Sequence, residues 1–179
     1  MRFLFLFFFV CNLNAQQSYI DYLSPYHPTV SNKGMVVTQN NLSSDVGIEI
    51  LNKGGNAIDA AVAVGFSLAV TLPRAGNLGG GGFMLVYLKE KDEIFYIDYR
   101  SKSPLNASID NIFDLNGKNI SPVDFSDDIY DKTRYGYKAP AIPGTVAGLL
   151  EAHEKFGSLP LEEVLAPAIR QANEGILVS

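Results

Sequence analysis

The 179-residue chain has little of the chemistry that builds cross-links or metal centres. It contains one cysteine, Cys11, and two histidines, His27 and His153, which lie far apart in the sequence. A single cysteine excludes a disulfide within the chain. The same shortage argues against a zinc site of the Cys/His type.

Basic residues are also in the minority. The chain has 14 Lys and Arg against 19 Asp and Glu, a formal charge of −5, which argues against nonspecific binding to nucleic acid or to anionic membranes. With 47% hydrophobic and 18% charged residues, the composition is too apolar for a disordered chain and too mixed for a multi-span membrane protein. The length suits one domain or part of a larger one.

The N-terminal segment has the pattern of a secretory signal peptide. Arg2 precedes the apolar run Phe3–Val10, and Ala15 is a small residue at a plausible cleavage site. The run is too short to cross a bilayer, which needs about 20 residues. A buried N-terminal strand and lipid attachment at Cys11 are the alternative interpretations.

This segment predicts the domain organisation and the compartment. We expect residues 1–15 to be a signal peptide, residues 16–33 an extended lead-in and residues 34–179 a folded region. The mature chain is then exported, periplasmic or secreted, and it contains no cysteine, so it needs no oxidising machinery.

Beyond residue 33, apolar patterning and turn residues predict both helices and strands. The clearest helix begins after Asn56, carries Asp59 in its first turn and is apolar all round, so we expect it to be buried on every side. The predicted elements are a strand at 34–38, helices at 46–52 (capped by Ser43–Asp45), 57–70, 110–113, 145–156 and 161–173, and a hairpin of strands 83–88 and 94–99.

A glycine cluster, Gly76–Gly82, lies between the predicted helix and the hairpin. Phosphate-binding glycine loops follow a strand and open a helix, whereas the order here is helix, glycines, strand. The glycine spacing of a dinucleotide site is also absent. We therefore expect a steric role, in which the glycines adopt positive φ or allow another backbone or a substrate to come close.

Arg100 is the candidate binding residue. It follows the predicted strand 94–99 at the start of a long polar stretch, where binding residues are common. A guanidinium can hold a carboxylate through two parallel hydrogen bonds. The alternative is a surface ion pair with Asp98, two residues earlier.

Other catalytic patterns are weak. Gly65–Ala69 lacks the second glycine of a nucleophile elbow and falls within a predicted helix. His153, near Glu151 and Glu154, is predicted to lie on a solvated helix face. No compact set of nucleophile, base and oxyanion donor is visible in the 179 residues.

Five stretches together resemble the N-terminal part of the large subunit of a γ-glutamyltransferase (γ-glutamyltranspeptidase). The resemblance runs from about residue 31 to residue 179. Its specificity comes from the order and spacing of all five stretches. They are Gly34–Val36, Gly54–Ala63, Ala75–Met84, Ile97–Arg100 and Pro143–Gly148.

The resemblance implies an α/β (α+β) fold, a four-layer αββα sandwich of the N-terminal-nucleophile hydrolase type, of which only the N-terminal portion is present. It also implies a longer, inactive precursor that cuts itself into a large and a small subunit. The small subunit's N-terminal threonine, with its own α-amine as base, attacks the γ-glutamyl carbonyl of glutathione. Water or an acceptor amine then releases the γ-glutamyl group, and no metal or organic cofactor is needed.

Residue matching assigns Arg100 to the family's arginine that binds the α-carboxylate of the glutamyl group. The glycines Gly79–Gly82 are expected to pack in the core beside the cleft without a catalytic role. The nucleophilic threonine is expected beyond residue 179, so this chain alone is predicted to be inactive. The expected partners are γ-glutamyl compounds and the small subunit, with neither nucleic acid nor a stable membrane span.

One departure and two alternatives accompany this interpretation. The family usually has Glu after the arginine, where this chain has Ser101, which bears on the geometry of the loop. An acylase of the same superfamily, acting on β-lactam side chains or polyglutamate, is one alternative, although Arg100 favours a substrate with an α-carboxylate. A noncatalytic secreted binding module formed by residues 16–179 is the other.

Overall fold

The computed structural model describes residues 30–108 and 139–177. The chain divides into two units, residues 1–33 and residues 34–179. Only residues 30–33 of the first unit are described, and all four are exposed. The expected signal peptide and the predicted helix at 110–113 lie outside the described residues.

Helix α1, Asn41–Asn52, begins five residues before the predicted start. Its cap is Asn40, whose side-chain oxygen accepts a hydrogen bond from the Leu42 nitrogen at 2.9 Å. The predicted cap at Ser43–Asp45 is therefore wrong. Ser43 is fully buried within the helix, and its hydroxyl bonds the hydroxyls of Ser67 and Thr71 at 2.8 Å each.

Helix α2, Ala57–Thr71, confirms the predicted start. The Asn56 side chain accepts from the nitrogens of Ile58 and Asp59, and the Asp59 carboxylate accepts from the Asn56 nitrogen at 2.9 Å. This is a reciprocal capping box. The expected burial on every side is wrong for the described structure, since Ala61 is exposed and the C-terminal half is mostly half-buried.

The two strands, β1 at Phe83–Leu88 and β2 at Glu93–Asp98, form the predicted antiparallel hairpin. Its turn includes Asp92 at φ 55°. The second strand begins and ends one residue earlier than predicted. Alternation along the strands sends one face to the core and leaves the other exposed. The exposed apolar side chains are Phe83, Leu85, Tyr87, Ile94 and Tyr96.

The strand predicted at 34–38 is absent from the described structure, so that prediction is wrong. The sheet of the described residues contains β1 and β2 alone. The side chain of Val36 packs instead against helix α1, where a Cβ on Gly47 would lie 2.6 Å from Val36 Cγ1. Val36 therefore serves helix packing, whereas Val37 is exposed.

Two further helices confirm the predictions for the C-terminal part, α3 at Thr145–Phe156 and α4 at Leu161–Glu174. Helix α2 packs against α1, α3 and α4, while β2 packs on α3. The core therefore forms around α2. Its buried apolar side chains include Val46, Ile50, Val62, Ala63, Val86, Ile97, Leu149 and Val164. Among the described residues, no helix has both the length and the apolarity that a bilayer crossing requires.

Candidate functional site

Arg100 lies two residues beyond the end of β2, and its backbone is fixed on both sides. Tyr99 extends the hairpin by one pair, because its nitrogen donates to the Gly82 oxygen at 3.1 Å and its oxygen accepts from the Gly82 nitrogen at 3.2 Å. The Arg100 nitrogen donates to Asp98 Oδ1 at 3.0 Å. The direction in which the arginine side chain leaves the sheet is thus set by hydrogen bonds.

The guanidinium of Arg100 is exposed and lies over the ring of Phe83, 5.6 Å from its centroid. This is cation–π geometry. The Phe83 ring in turn stacks on Tyr96, with centroids 5.9 Å apart. Within the described part of the chain, the guanidinium makes no ion pair with Asp98, whose carboxylate accepts a hydrogen bond from the Arg100 backbone nitrogen. An exposed, oriented guanidinium is suited to holding a carboxylate from solution.

Three segments meet at this arginine: the glycines Gly79–Gly82, the stretch Tyr99–Lys102 and the stretch Ile142–Gly148. Lys102 and Ile142 exchange two backbone hydrogen bonds, at 3.0 and 2.8 Å. The Gly80 oxygen accepts from the nitrogens of Gly144 and Thr145 at the start of α3, at 2.8 and 3.1 Å. The hydrogen bonds join segments that are far apart in the sequence.

The glycine cluster allows this close approach of backbones. A Cβ on Gly81 would collide with the Ser101 nitrogen and lie 2.6 Å from the Tyr99 oxygen. None of the glycines at 79–82 has a positive φ. Of the two steric roles expected for them, the structure therefore shows the close approach of another backbone. The expectation that they pack in the core is wrong for the described structure, in which Gly79 and Gly81 are exposed.

The ring of Tyr99 occupies a slot lined by glycines from two segments. A Cβ on Gly82 would lie 2.8 Å from Tyr99 Cε2, and a Cβ on Gly148 would overlap the base of the ring. Burial raises the pKa of the Tyr99 phenol above its ordinary value. The sequence reasoning missed this residue. The sequence did contain a signal for it: glycines recur in the stretches Ala75–Met84 and Pro143–Gly148, and no side chain had been assigned to pack against them.

His153 is not on a solvated helix face, so that prediction is wrong. Its side chain is 14% exposed, and Nε2 lies 2.9 Å from the Leu159 oxygen and 3.7 Å from Asp59 Oδ1. The Asp59 carboxylate, fully buried, accepts from the Ser158 hydroxyl at 2.6 Å and from the Ser158 nitrogen at 3.0 Å. These contacts join the first turn of α2 to the end of α3.

The ionisation of Asp59 is decided by two opposing effects. Burial by itself raises the pKa of this carboxyl, but hydrogen bonds from Ser158 and Asn56 outweigh burial and hold the pKa below its ordinary value. Asp59 is therefore a buried anion that is stabilised by hydrogen-bond donors, and its role is to connect helix α2 to the segment after α3. Across the described residues, no group of three or more His, Cys, Asp or Glu side chains is placed to hold a metal ion.

Comparison with known proteins gives consistent similarities. The family model for γ-glutamyltranspeptidase matches residues 43–179. The glutathione hydrolase proenzyme of Escherichia coli strain K12 is 42% identical over 154 residues, which are 86% of this chain and 25% of that protein. The crystal structure of Helicobacter pylori γ-glutamyltranspeptidase superposes with a TM-score of 0.74 at 38% identity, over 86% of this chain and 41% of that one.

A second kind of relative also matches. The acylase ACY 1 proenzyme of Pseudomonas sp. strain V22 is 39% identical over 159 residues, 89% of this chain and 28% of that protein. The mixed helix-and-sheet fold and its solved neighbours define the class as the N-terminal-nucleophile hydrolases. Within that class, the chain belongs to the γ-glutamyltranspeptidase family. It spans about a quarter of the length of the curated relatives it matches.

Proposed function

We propose that this chain is part of the large-subunit region of an exported γ-glutamyltransferase, or glutathione hydrolase, made as a precursor. The observation that carries the proposal is Arg100, an exposed guanidinium with a fixed backbone, in a chain of the γ-glutamyltranspeptidase family. Its proposed role is to bind the α-carboxylate of the γ-glutamyl donor, through paired charge-assisted hydrogen bonds.

The proposed reaction takes place between this anchored donor and a threonine from another part of the precursor. The threonine oxygen attacks the γ-carbonyl carbon and forms an ester, the amide C–N bond breaks, and the threonine's proton passes through its α-amine to the leaving nitrogen. Water or an amino group then attacks the ester carbonyl, releases the γ-glutamyl group and restores the threonine. Because the nucleophile comes from elsewhere, we expect the 179-residue chain alone to be inactive.

We further propose that the hairpin belongs to a four-layer αββα sandwich completed by the rest of the precursor. The support is the outer face of the hairpin, where five large apolar side chains from Phe83 to Tyr96 are each more than half exposed. Apolar faces of this kind are covered in a finished sheet fold. Residues 1–15 are proposed as the signal peptide that exports the precursor to the periplasm or outside the cell.

An acylase is the second candidate, and the similarity to acylase ACY 1 favours it. The two candidates differ at the α-carbon of the substrate. A γ-glutamyl group carries an amine on that carbon, whereas a glutaryl side chain has the same terminal carboxylate but no amine. The guanidinium of Arg100 can bind the carboxylate of either substrate, so the preference for the γ-glutamyl substrate is supported by the match to the γ-glutamyltranspeptidase family.

The test uses the full-length precursor, expressed from the uninterrupted reading frame. We expect it to separate into two chains under denaturing conditions and to cleave γ-glutamyl-p-nitroanilide in preference to glutaryl-p-nitroanilide. The reverse preference would establish the acylase instead. A single uncut chain that turns over neither compound would overturn the enzymatic proposal. The noncatalytic binding module would then be the remaining interpretation.

A further inference from the structure

We propose that Tyr99 is a positioning residue for Arg100: a slot formed by Gly82, Gly144 and Gly148 seats Tyr99, and this seating sets where the neighbouring guanidinium meets a carboxylate. The inference rests on the proposed function, since it assumes that Arg100 binds the donor. It concerns a residue that does not itself touch the donor and acts through the arginine beside it.

The slot fits Tyr99 because all three positions lack a side chain. A Cβ on Gly148 would overlap Cβ, Cγ and Cδ1 of the tyrosine. A Cβ on Gly144 would overlap the Tyr99 oxygen and lie 2.8 Å from its carbonyl carbon, and a Cβ on Gly82 would press on the far edge of the ring. Space of this shape accommodates one ring in one position.

The position of the ring is passed on to Arg100 through a short, pinned backbone. Tyr99 is paired with Gly82 in both directions, and the Arg100 nitrogen is held by Asp98. Two residues later, Lys102 is paired with Ile142. Displacing the ring therefore moves a backbone whose next residue carries the guanidinium. Paired hydrogen bonds to a carboxylate require fixed geometry, and a 1 Å misplacement can cost about 100-fold in rate.

The aromatic ring of Tyr99, and not its hydroxyl, is the part that positions Arg100. The Tyr99 hydroxyl donates to the Phe83 oxygen at 3.4 Å, near the outer limit of a hydrogen bond, whereas the ring fills the glycine slot. Tyr99→Phe keeps the ring and should preserve function. Tyr99→Leu removes the ring while keeping an apolar side chain, and Gly148→Ala displaces the ring without altering Tyr99.

The experiment compares two donors on the full-length, self-cleaved protein. One is γ-glutamyl-p-nitroanilide, and the other is 4-aminobutyryl-p-nitroanilide, which is the same donor without the α-carboxylate. The ratio of their kcat/KM values reports how well Arg100 is placed for the carboxylate. We expect Tyr99→Leu and Gly148→Ala to lower this ratio about tenfold or more, chiefly through KM for the γ-glutamyl donor.

Matched variants separate positioning from general damage. Tyr99→Phe should keep the ratio within about twofold of the wild type, since the ring remains in its slot. Gly80→Ala, whose Cβ would meet nothing closer than 3.5 Å, should also leave the ratio unchanged. If Tyr99→Leu does not mature, Gly82→Ala presses on the same ring edge and gives the same comparison.

Two results would overturn the inference. Equal loss for both donors in Tyr99→Leu, with the ratio unchanged, would mean that the ring only stabilises the fold. Tyr99→Phe as damaging as Tyr99→Leu would assign the effect to the hydroxyl. Failure of the proposed function looks different, because the wild type itself would then show no preference for the carboxylated donor, or Arg100→Met would retain the preference.

Discussion

The guanidinium carbon of Arg100 lies 5.6 Å from the centroid of the Phe83 ring, so the proposed substrate anchor is supported by an aromatic face. The attraction between a cation and an aromatic face at an exposed site is about 0.5–1 kcal/mol. It restrains a long side chain that otherwise has several rotamers. Phe83 therefore reduces the conformational freedom that Arg100 loses when it binds a carboxylate.

Phe83→Leu is expected to raise KM for γ-glutamyl-p-nitroanilide about two- to fivefold, because the aromatic face under Arg100 is lost. Phe83→Tyr keeps that face and serves as the matched variant, with KM close to the wild type. Steady-state kinetics on the full-length protein make the comparison. Equal KM values for the Leu and Tyr variants would show that the stacked geometry contributes nothing to binding.

Arg100→Lys is expected to raise KM for the γ-glutamyl donor at least about tenfold. A lysine keeps the charge but loses the paired hydrogen bonds, and one hydrogen bond to a charged group contributes about 1.5 kcal/mol or more. The control is Arg74→Lys, the same substitution at an exposed position after helix α2. A wild-type KM in Arg100→Lys would contradict the proposed carboxylate contact.

Gly81→Ala is expected to lower the free energy of unfolding by about 1–3 kcal/mol, the usual cost of forcing extra volume into a close contact. The new methyl group would meet the backbone of Tyr99 and Ser101, which cannot rotate away. Gly80→Ala, with only ordinary contacts around its Cβ, should melt like the wild type. Thermal melts followed by circular dichroism test the pair, and matching melts would contradict the close approach.

Acidification is expected to destabilise the protein through Asp59. The pKa of this carboxyl is lower in the folded state, so the unfolded state takes up the proton first as the pH falls below about 3.9, the ordinary value for Asp. The contribution of Asp59 is thus fully present above that pH. It is lost as the pH falls through the lower folded value.

Asp59→Asn should remove this part of the pH dependence and lower stability at neutral pH by about 2 kcal/mol, because the amide replaces an anion that accepts several hydrogen bonds. Asp45→Asn, at an exposed position in helix α1, is the matched control. Denaturant unfolding at neutral pH and near pH 3.5 provides the measurement. An unchanged difference in stability between those pH values in Asp59→Asn would contradict the assignment.

The parts of the fold that local chemistry determines could be predicted from the sequence. Asn56 and Asp59 form a complete capping signal within four residues, so the start of α2 was predictable. The hairpin was equally clear, since two apolar runs flank a short polar turn. Glycine and proline marked the limits of α3 and α4.

The parts that depend on distant residues could not be predicted. Ser43 has the chemistry of a cap, but its hydroxyl bonds the Ser67 hydroxyl in α2. Val36 has strand propensity but packs on helix α1. His153 has acidic neighbours in the sequence, yet it faces a carboxylate from another helix. For the site, the position after a strand indicated Arg100. The slot around Tyr99 could not be predicted, because it forms only when three segments that are distant in the sequence come together.

The slot around Tyr99 also restricts how related sequences can diverge. Position 148 can accept a methyl group only if position 99 loses its Cβ as well as its ring, since the new methyl group would overlap both Cβ and Cγ of Tyr99. The two sites are therefore expected to covary, with alanine at 148 accompanied by glycine at 99. In a double-mutant cycle, the damage from Gly148→Ala should be partly relieved in a Tyr99→Gly background, which is evolutionary compensation between positions 49 residues apart.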